Sequence, residues 1–343
     1  MQPDLNIGPR HPITIKINMD NLDSYTSTGA KYGRHYDMIN SLRNGIGRPQ
    51  SLQVALTNRC NLKCVFCSVA ERDLKDEWSF EDLIKAIEAF ISIGIKTIEF
   101  SGGGEPTLYR EFNELVIFCK QRGLLLGLIT NGMRLKEISQ DILSKFEWIR
   151  ISMVGLDYQE TIDLPDKFPD NVTIGMSYVV GQKEYQGKRN YWQSDYDQLM
   201  KIKEYALKYK AKFIRIVPEC FSNNIEMEQI HYYFQSIFPI FGYPFIFQPK
   251  KQKQAEYCWM DSIKPWLDVS GYVFPCNSIS LLSDAQRYFH PKYRICHWTE
   301  IEKYYQNRGK ESLKIDNCDR CTFVSQNEII SELLTPIVHE EFV

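Results

Sequence analysis

Three cysteines stand close together in the first part of the chain, with a type and spacing that suit metal-cluster binding. Cys60, Cys64 and Cys67 follow the pattern C-x3-C-x2-C. Iron–sulfur clusters are held by cysteine thiolates, so three thiolates on one short loop can hold one face of a four-iron cube. The fourth iron then keeps an open coordination position, which is typical of a reactive rather than a structural metal site. A zinc loop is the alternative for this triplet.

A glycine-rich segment further along the chain has the composition of a ligand cradle. Gly102, Gly103 and Gly104 directly precede Glu105. Glycine lets the backbone approach a bound molecule closely, and a carboxylate such as Glu105 accepts hydrogen bonds from an ammonium group. A plain turn is the alternative for this segment.

Alternating strand-like and helix-like runs must position these groups. Short apolar runs closed by polar or glycine residues are typical of buried parallel strands, and they occur at 51–57, 95–100, 124–129, 148–153, 172–180 and 212–217. A helix is predicted from the N-cap Ser79 to Gly94, and others over 110–122 and 196–209. Six strand–helix repeats predict an α/β fold with a parallel sheet, curled or open.

The carboxyl ends of these strands collect polar residues. Active sites of parallel barrels gather at that end of the strands. Besides the cysteine triplet and Glu105, the candidates are Asn131 after the third strand, Ser152 and Ser177 late in the fourth and fifth, and Cys220 after the sixth. Arg215, inside the sixth strand, could point into the barrel, where an inward charge needs a partner such as a substrate anion or a cofactor carboxylate.

The first two motifs resemble those of the radical S-adenosylmethionine (SAM) superfamily. The resemblance rests on the C-x3-C-x2-C spacing with Phe66 just before the third cysteine, and on Gly103-Gly104-Glu105 after the second strand. It implies an α/β fold, a partial (β/α)6 TIM-like barrel over residues 51–250, whose triplet holds a [4Fe-4S] cluster that binds SAM.

The resemblance also implies roles for the polar residues at the rim. The glycine–glutamate segment would hold the amino group of SAM. Ser152 and Ser177 would contact its ribose and carboxylate, and Phe66, Asn131 and Arg215 would complete the cofactor site. A hydroxyl that only caps a strand end is the alternative for the two serines.

A second set of cysteines lies in the C-terminal part of the chain. Cys258 and Cys276 flank a predicted β-hairpin around Ser270-Gly271, and Cys318 and Cys321 form a C-x2-C pair. The set resembles the SPASM/twitch extension of radical SAM enzymes. Because no cysteine follows Cys321, it is similar to the shorter twitch form, which consists of a β-hairpin plus a helix.

The twitch resemblance implies a second [4Fe-4S] cluster in a domain at residues 251–343. Four thiolates, from Cys258, Cys276, Cys318 and Cys321, would leave no iron free, so such a cluster suits electron transfer or structural support. A four-cysteine zinc site is the alternative, and Cys296 could replace one of the four ligands.

Two further cysteines stand outside both sets. Cys119 shares a helical stripe with Leu115 and Val116 and is predicted to be a packed thiol. Cys220 stands at the predicted active rim. Its position resembles that of a thiol with which some peptide epimerases of the superfamily return a hydrogen atom to a substrate radical. A thiol that fills a packing gap is the alternative.

Composition and charge set the broad class of the protein. The chain has 343 residues, 43% hydrophobic and 24% charged, with a net charge of −2. That balance excludes a disordered or fibrous chain and makes nucleic-acid or membrane binding unlikely on electrostatic grounds. The chain shows no long apolar run and no charged-then-apolar leader, so a soluble cytoplasmic protein is expected. The polar residues 1–50 predict a partly helical N-terminal extension.

Together these features predict a radical SAM enzyme. It would cleave SAM to a 5′-deoxyadenosyl radical that abstracts hydrogen from an unactivated substrate carbon, with the auxiliary cluster accepting an electron in a net oxidation. The second hypothesis is a redox-neutral epimerase or rearranging enzyme acting on a peptide or a nucleotide or sugar derivative, with Cys220 as hydrogen donor. The third is a non-catalytic iron–sulfur or zinc protein. The expected partners are a small-molecule or peptide substrate and a flavodoxin- or ferredoxin-type reductant.

Overall fold

The structure of the chain is a computed structural model. It describes residues 29–180, 184–185, 188–189, 193–242, 245–248, 254–282, 291–316, 318–336 and 338. Most of the N-terminal extension predicted over residues 1–50, and most of the boundary predicted near 249–254, lie outside the described residues.

In the described part of the chain, ten strands form one sheet. The strands are β1 (Ser51–Val54), β2 (Thr97–Phe100), β3 (Leu125–Thr130), β4 (Trp148–Ser152), β5 (Thr173–Val180), β6 (Ile214–Pro218), β7 (Phe245–Phe247), β8 (Trp266–Leu267), β9 (Tyr272–Phe274) and β10 (Cys296–His297). All six predicted strands are present as β1–β6, each within three residues of its predicted ends. Two short strands, Glu184–Tyr185 and Lys188–Arg189, form a separate hairpin.

The sheet is parallel from β1 to β7 and open between its two edges. Strands β1 to β7 follow one another in chain order, and each pairs with the next in parallel. Strand β8 adds in parallel to the free edge of β1, and β9 and β10 follow it antiparallel. The predicted partial barrel is therefore confirmed, and the C-terminal hairpin extends its sheet.

Helices connect the parallel strands, as crossover connections require. The helices are α1 (Gly29–Gly33), α2 (Tyr36–Arg43), α3 (Phe80–Ser92), α4 (Phe112–Gln121), α5 (Gln140–Leu143), α6 (Gln193–Lys208), α7 (Asn224–Phe241), α8 (Ile301–Gln306) and α9 (Val324–Leu334). The predicted N-cap is confirmed, because the Ser79 side chain accepts from the Asp82 backbone N–H. Helix α7 was not predicted, although Asn223 and Glu226 form a capping box at its start. No described helix has the length and apolar character that a membrane span requires.

The two faces of the parallel strands differ in chemistry. On β2, Ile98 and Phe100 are buried in the main core, whereas Glu99 on the opposite face is partly exposed. On β4, Ile149 is buried in that core and Arg150 points the other way. The apolar face packs in the main core, whereas the other face lines the interior of the open barrel and carries charge.

A second core forms around the C-terminal hairpin. It contains Trp266 and Phe274, which pair across β8 and β9, and the four cysteines of the second set. Helix α2 belongs to the same core and is fastened to α9, because Arg43 Nη2 donates to the Leu333 carbonyl at 2.7 Å. The predicted hairpin around Ser270-Gly271 is present, with Gly271 at a φ of 82°.

Candidate functional site

The first cysteine set lies on one loop directly after β1. Its three thiols are half-buried and close enough to affect one another. Burial, followed by the neighbouring Cys60 and Cys67 thiolates, raises the pKa of Cys64 to about 11. The loop is turned so that the Cys67 N–H donates to the Cys64 carbonyl at 3.1 Å. Three cysteine sulfurs thus converge at the carboxyl end of β1.

Arg72 supports this loop from the inside. Its guanidinium donates to the carbonyls of Asn58 and Val69, both at 2.7 Å, and reaches the Sγ of Cys67 at 3.5 Å. Burial raises the pKa of Cys60, and the nearby Arg72 charge opposes that rise. The sequence analysis did not single out Arg72, since nothing in its neighbourhood distinguishes it from a surface arginine.

The glycine-rich segment packs against the loop that carries the triplet. The Gly104 N–H donates to the Thr57 carbonyl at 2.6 Å, and the Glu105 N–H donates to the Arg59 carbonyl at 2.8 Å. A Cβ on Gly104 would lie 1.9 Å from the Arg59 carbonyl oxygen. Glycine was expected here for approach to a ligand, but at Gly104 it permits approach to the cysteine loop itself.

Glu105 is the centre of a hydrogen-bond network between β2 and β3. Its Oε1 accepts from the hydroxyls of Thr107 at 2.7 Å and Thr130 at 2.6 Å, and its Oε2 accepts from the Asn131 N–H at 2.8 Å. Burial raises the pKa of Glu105, and these hydrogen bonds oppose the rise. Because a carboxylate oxygen can accept more than one hydrogen bond, Oε2 retains capacity for a bound ammonium group.

Asn131 joins the end of β3 to the cysteine loop. Its Nδ2 donates to Asn61 Oδ1 at 2.6 Å, and its Oδ1 accepts from the Met133 N–H at 3.0 Å. The side chain is 7% exposed. Each end of this amide thus makes a hydrogen bond within the protein, and the predicted contact of Asn131 with the cofactor stays a prediction.

Ser152, Ser177 and Arg215 lie side by side on three neighbouring strands. Ser152 on β4 is in register with Ser177 on β5, which is in register with Arg215 on β6. All three side chains are half-buried and belong to the polar inner face. The structure therefore brings together three residues that the sequence analysis identified separately.

A group of charged side chains lies deeper on the same inner face. Glu99 Oε2 is 2.8 Å from Lys264 Nζ, and its pKa is lowered by the charges of Lys264, Arg150 and Arg215 against the opposing effect of burial. The sequence analysis missed Glu99, Arg150 and Lys264. For the first two, the signal was present in the alternation of polar with apolar residues along β2 and β4.

Cys220 and Phe66 lie against each other where the triplet loop meets the end of β6. The Cys220 Sγ donates to the Phe66 carbonyl at 3.5 Å. Cys220 is 9% exposed, while Phe66 is half-buried and packs against the main core. The predicted placement of Cys220 beside the triplet therefore agrees with the structure, and its role stays a prediction.

The four cysteines of the second set come together from three separate segments. Burial, followed by Cys321, raises the pKa of Cys276 to about 12. A hydrogen bond from Cys318 to Cys321 raises the pKa of Cys318 and lowers that of Cys321. Burial raises the pKa of Cys258 well above its ordinary value, and Cys276 and Cys321 add to that rise.

Cys296 lies apart from this group. It pairs with Val273 in the sheet, and burial followed by the nearby Glu300 raises its pKa to about 12. The thiols that affect Cys258, Cys276 and Cys318 are members of the predicted set. The alternative in which Cys296 replaces one of the four is therefore not favoured by the geometry.

The loops that carry the two cysteine sets contact each other. Ser280 Oγ, shortly after Cys276, donates to Ser68 Oγ, next to Cys67, at 3.0 Å. The guanidinium of Arg320, which lies between Cys318 and Cys321, is 5.9 Å from the ring centroid of Phe221. The two sets are thus held against each other through the rim of the barrel.

The donor chemistry of both sets suits iron–sulfur clusters, which are ligated by cysteine sulfur. Within the ranges that the structure describes, no three His, Cys, Asp or Glu side chains are arranged as a site for a single metal ion. The triplet fits a cluster through its donor type, three cysteine sulfurs on one loop, and the Glu105 charge lies near enough to raise the pKa of Cys60 after the effect of burial.

Comparison with known proteins gives a family match over the parallel strands. Residues 54–218 match the model of the radical SAM superfamily. An Fe-coproporphyrin III synthase of Methanosarcina barkeri is 33% identical over 115 residues, which make up 33% of this chain and 28% of that protein. A GTP 3′,8-cyclase of Staphylococcus saprophyticus is 30% identical over 160 residues, 43% of this chain and 45% of that protein. The matched part thus spans less than half the length of either relative.

Solved structures show the same fold at low sequence identity. The crystal structure of Streptococcus suis SuiB bound to S-adenosylmethionine superposes with a TM-score of 0.55 at 14% identity, and the alignment covers 82% of this chain and 71% of that one. The family match spans the strands that carry the cysteine triplet, Glu105 and the inner-face residues. Residues 54–218, just under half of the chain, therefore form a radical SAM domain.

Proposed function

We propose that this protein cleaves SAM reductively and abstracts a hydrogen atom from an unactivated carbon of a small-molecule or peptide substrate. The observation that carries the proposal is the convergence of Cys60, Cys64 and Cys67 beside the Glu105 carboxylate, within a domain that matches the radical SAM family. When bound there, a [4Fe-4S] cluster and SAM supply the electron and the radical for this chemistry. A flavodoxin- or ferredoxin-type protein is the reductant in this proposal.

The residues of the rim bind and orient SAM in this proposal. Glu105 accepts from the ammonium group through Oε2, while Thr107 and Thr130 fix the orientation of its carboxylate. Ser152 and Ser177 face the ribose and carboxylate of SAM from the inner face. Phe66, packed beside Cys64 and Cys67, borders the same space.

The second cysteine set favours an oxidative outcome. Its four cysteines are between 4% and 7% exposed. A cluster ligated by all four thiolates would have no open position for a substrate. A closed cluster suits electron transfer. In the proposal, Cys258, Cys276, Cys318 and Cys321 hold an auxiliary [4Fe-4S] cluster that takes up the electron lost by the substrate radical.

Anaerobic reconstitution with iron and sulfide tests these assignments. The wild type is expected to hold about eight iron atoms, and a variant lacking Cys60, Cys64 and Cys67 about four. With dithionite and SAM, the wild type is expected to form 5′-deoxyadenosine and the triplet variant none. Cys296→Ala is the matched control and should retain both properties. Absence of 5′-deoxyadenosine from fully reconstituted wild type given its substrate contradicts the proposal, and about four iron with one zinc favours the zinc alternative.

A redox-neutral reaction is the second candidate, because Cys220 lies at the triplet loop with its Sγ 3.5 Å from the Phe66 carbonyl. In this alternative the thiol returns a hydrogen atom to the substrate radical, giving an epimerised or rearranged product. Turnover in deuterated water separates the candidates, because a solvent-exchangeable thiol delivers deuterium to the product carbon. Cys220→Ala would then stop product formation while 5′-deoxyadenosine still forms. A two-electron oxidised product without deuterium supports the oxidative reaction.

A further inference from the structure

The interior of the open barrel carries more positive than negative charge. Glu99, Lys264, Arg150 and Arg215 are close enough for each charge to affect Glu99. Glu99 pairs with Lys264 at 2.8 Å, which leaves two guanidinium groups beside an already neutralised carboxylate. The excess amounts to two positive charges at the arginine pair.

One buried nitrogen of each arginine lacks a hydrogen-bond partner in the described part of the chain. That nitrogen is the Nε atom in both Arg150 and Arg215. Arg150 instead lies over the Trp148 ring, 6.0 Å from its centroid. Burial, followed by the Arg150 charge, lowers the pKa of Arg215 to about 9. Arginine side chains stay charged in proteins, and a charge buried in this way is costly without a counter-ion.

The strand between the two arginines carries small residues on its inner face. Arg150 on β4 is in register with Gly175 on β5, and Arg215 on β6 is in register with Ser177 on β5. The Phe213 side chain, from the residue just before β6, packs over Gly175, where an added Cβ would overlap its ring. Arg150 lies two residues before Ser152 and therefore one layer below the rim where SAM is proposed to bind, whereas Arg215 lies at the level of Ser152 and Ser177.

We propose that Arg150 and Arg215 bind a phosphoryl group of the substrate. A phosphoryl group carries a charge of about −1.5 to −2 at neutral pH, which matches the excess of two. Guanidinium forks bind its oxygens in a bidentate manner. This inference rests on the proposed function, since it supplies the substrate class for the same site. The SAM carboxylate has similar anionic chemistry and is the other source of a counter-ion for Arg215.

Isothermal titration of the reconstituted wild type with inorganic pyrophosphate, and separately with SAM, distinguishes these sources. Arg150→Gln and Arg215→Gln are each expected to weaken pyrophosphate binding by at least about tenfold. Arg150→Gln should leave SAM affinity within about twofold, because Arg150 lies one layer below Ser152 and Ser177. Arg110→Gln is the control, because Arg110 is an exposed arginine that lies 3.8 Å from Glu77 rather than beside the arginine pair. It should leave both affinities unchanged. The titrations need no reductant, so their outcome is independent of whether SAM is cleaved.

Several outcomes overturn the inference. The first is that the wild type does not bind pyrophosphate, and the second is that both glutamine variants still bind it as the wild type does. The third is that the variants lose affinity for SAM and not for pyrophosphate, which assigns the arginine pair to the cofactor carboxylate. Equal affinity for malonate contradicts the phosphoryl assignment. Folding of the variants is checked by thermal unfolding without anion. Replacing a buried cation that has no counter-ion should leave the midpoint temperature of unfolding unchanged or raise it. A lowered midpoint temperature contradicts the inferred excess of positive charge in the barrel interior.

Discussion

The two cysteine sets of this protein are built in opposite ways. Cys60, Cys64 and Cys67 belong to one loop and are half-buried. The four cysteines of the second set come from three segments, separated by up to sixty-three residues between Cys258 and Cys321, and are nearly inaccessible. A site on one loop beside solvent can exchange a ligand without disturbing the fold. A site assembled from distant segments is part of the packing of its region.

The surroundings of the two sets reinforce this difference. The triplet has the cation Arg72 and the acceptor Glu105 beside it, which are groups that interact with a thiolate and with a bound ammonium. The second set sits in an apolar core with Trp266 and Phe274. Metal binding to such thiols releases protons and contributes to folding free energy. We therefore expect loss of the first site to affect chemistry and loss of the second to affect stability.

The largest expected effect is that of Cys64→Ala on SAM cleavage. The variant should lower the rate of 5′-deoxyadenosine formation by at least about 100-fold, because the triplet loses a ligand. Its free energy of unfolding should change by less than about 0.5 kcal/mol, as for other partly exposed positions. Chromatographic assay and chemical denaturation measure the two quantities. Cys296→Ala serves as control, and a substantial loss of stability in Cys64→Ala would contradict the contrast.

Cys321→Ala should show the reverse pattern. Because the site joins segments of the C-terminal core, we expect the free energy of unfolding of the reconstituted protein to fall by at least about 3 kcal/mol. Slow SAM cleavage without substrate should persist. Chemical denaturation under anaerobic conditions measures the free energy of unfolding, and iron analysis of the same samples gives their cluster content. An equal decrease in the free energy of unfolding for Cys321→Ala and Cys64→Ala would contradict the view that only the second cysteine set contributes to the packing of its region.

Gly104→Ala tests the packing that joins the glutamate segment to the triplet loop. An added Cβ would lie 1.9 Å from the Arg59 carbonyl oxygen, so the backbone must shift at a cost of about 1–3 kcal/mol. The shift should also weaken SAM binding, since Glu105 follows directly. Gly33→Ala is the control, because a Cβ there meets nothing within 4 Å. Unchanged stability and SAM affinity in Gly104→Ala would show that this contact does not constrain the site.

The smallest expected effect is that of Asn131→Ala. Loss of the side-chain hydrogen bond to Asn61 should lower the free energy of unfolding by about 1 kcal/mol and SAM affinity by about fivefold, because the cysteine loop loses a support while the backbone hydrogen bond from Asn131 to Glu105 remains. Asn171→Ala is matched to it, since Asn171 donates to the Ser144 carbonyl at 2.7 Å away from the site. Equal effects on SAM affinity from both variants would argue against a positioning role for Asn131.

Much of the barrel could be predicted because its signals are local. The strands β1–β6 are short apolar runs between polar or glycine residues, and Ser79 and Gly94 mark the ends of α3. Helix α7 was missed although Asn223 and Glu226 mark its start. Pairing of β8 with β1 could not be anticipated, because it joins Trp266 to Gln53 across a long stretch of sequence.

Within the candidate site, the sequence by itself determined the ligand-bearing residues. The spacing of Cys60, Cys64 and Cys67, the Gly103-Gly104-Glu105 segment and the pair Cys318 and Cys321 are short patterns whose chemistry follows from residue type. The tertiary structure decided which distant groups meet them. It placed Cys276 with Cys321, and Glu99 and Lys264 with Arg150 and Arg215. The physical reason is that strand register and sheet order, which set those encounters, depend on packing between segments far apart in the chain.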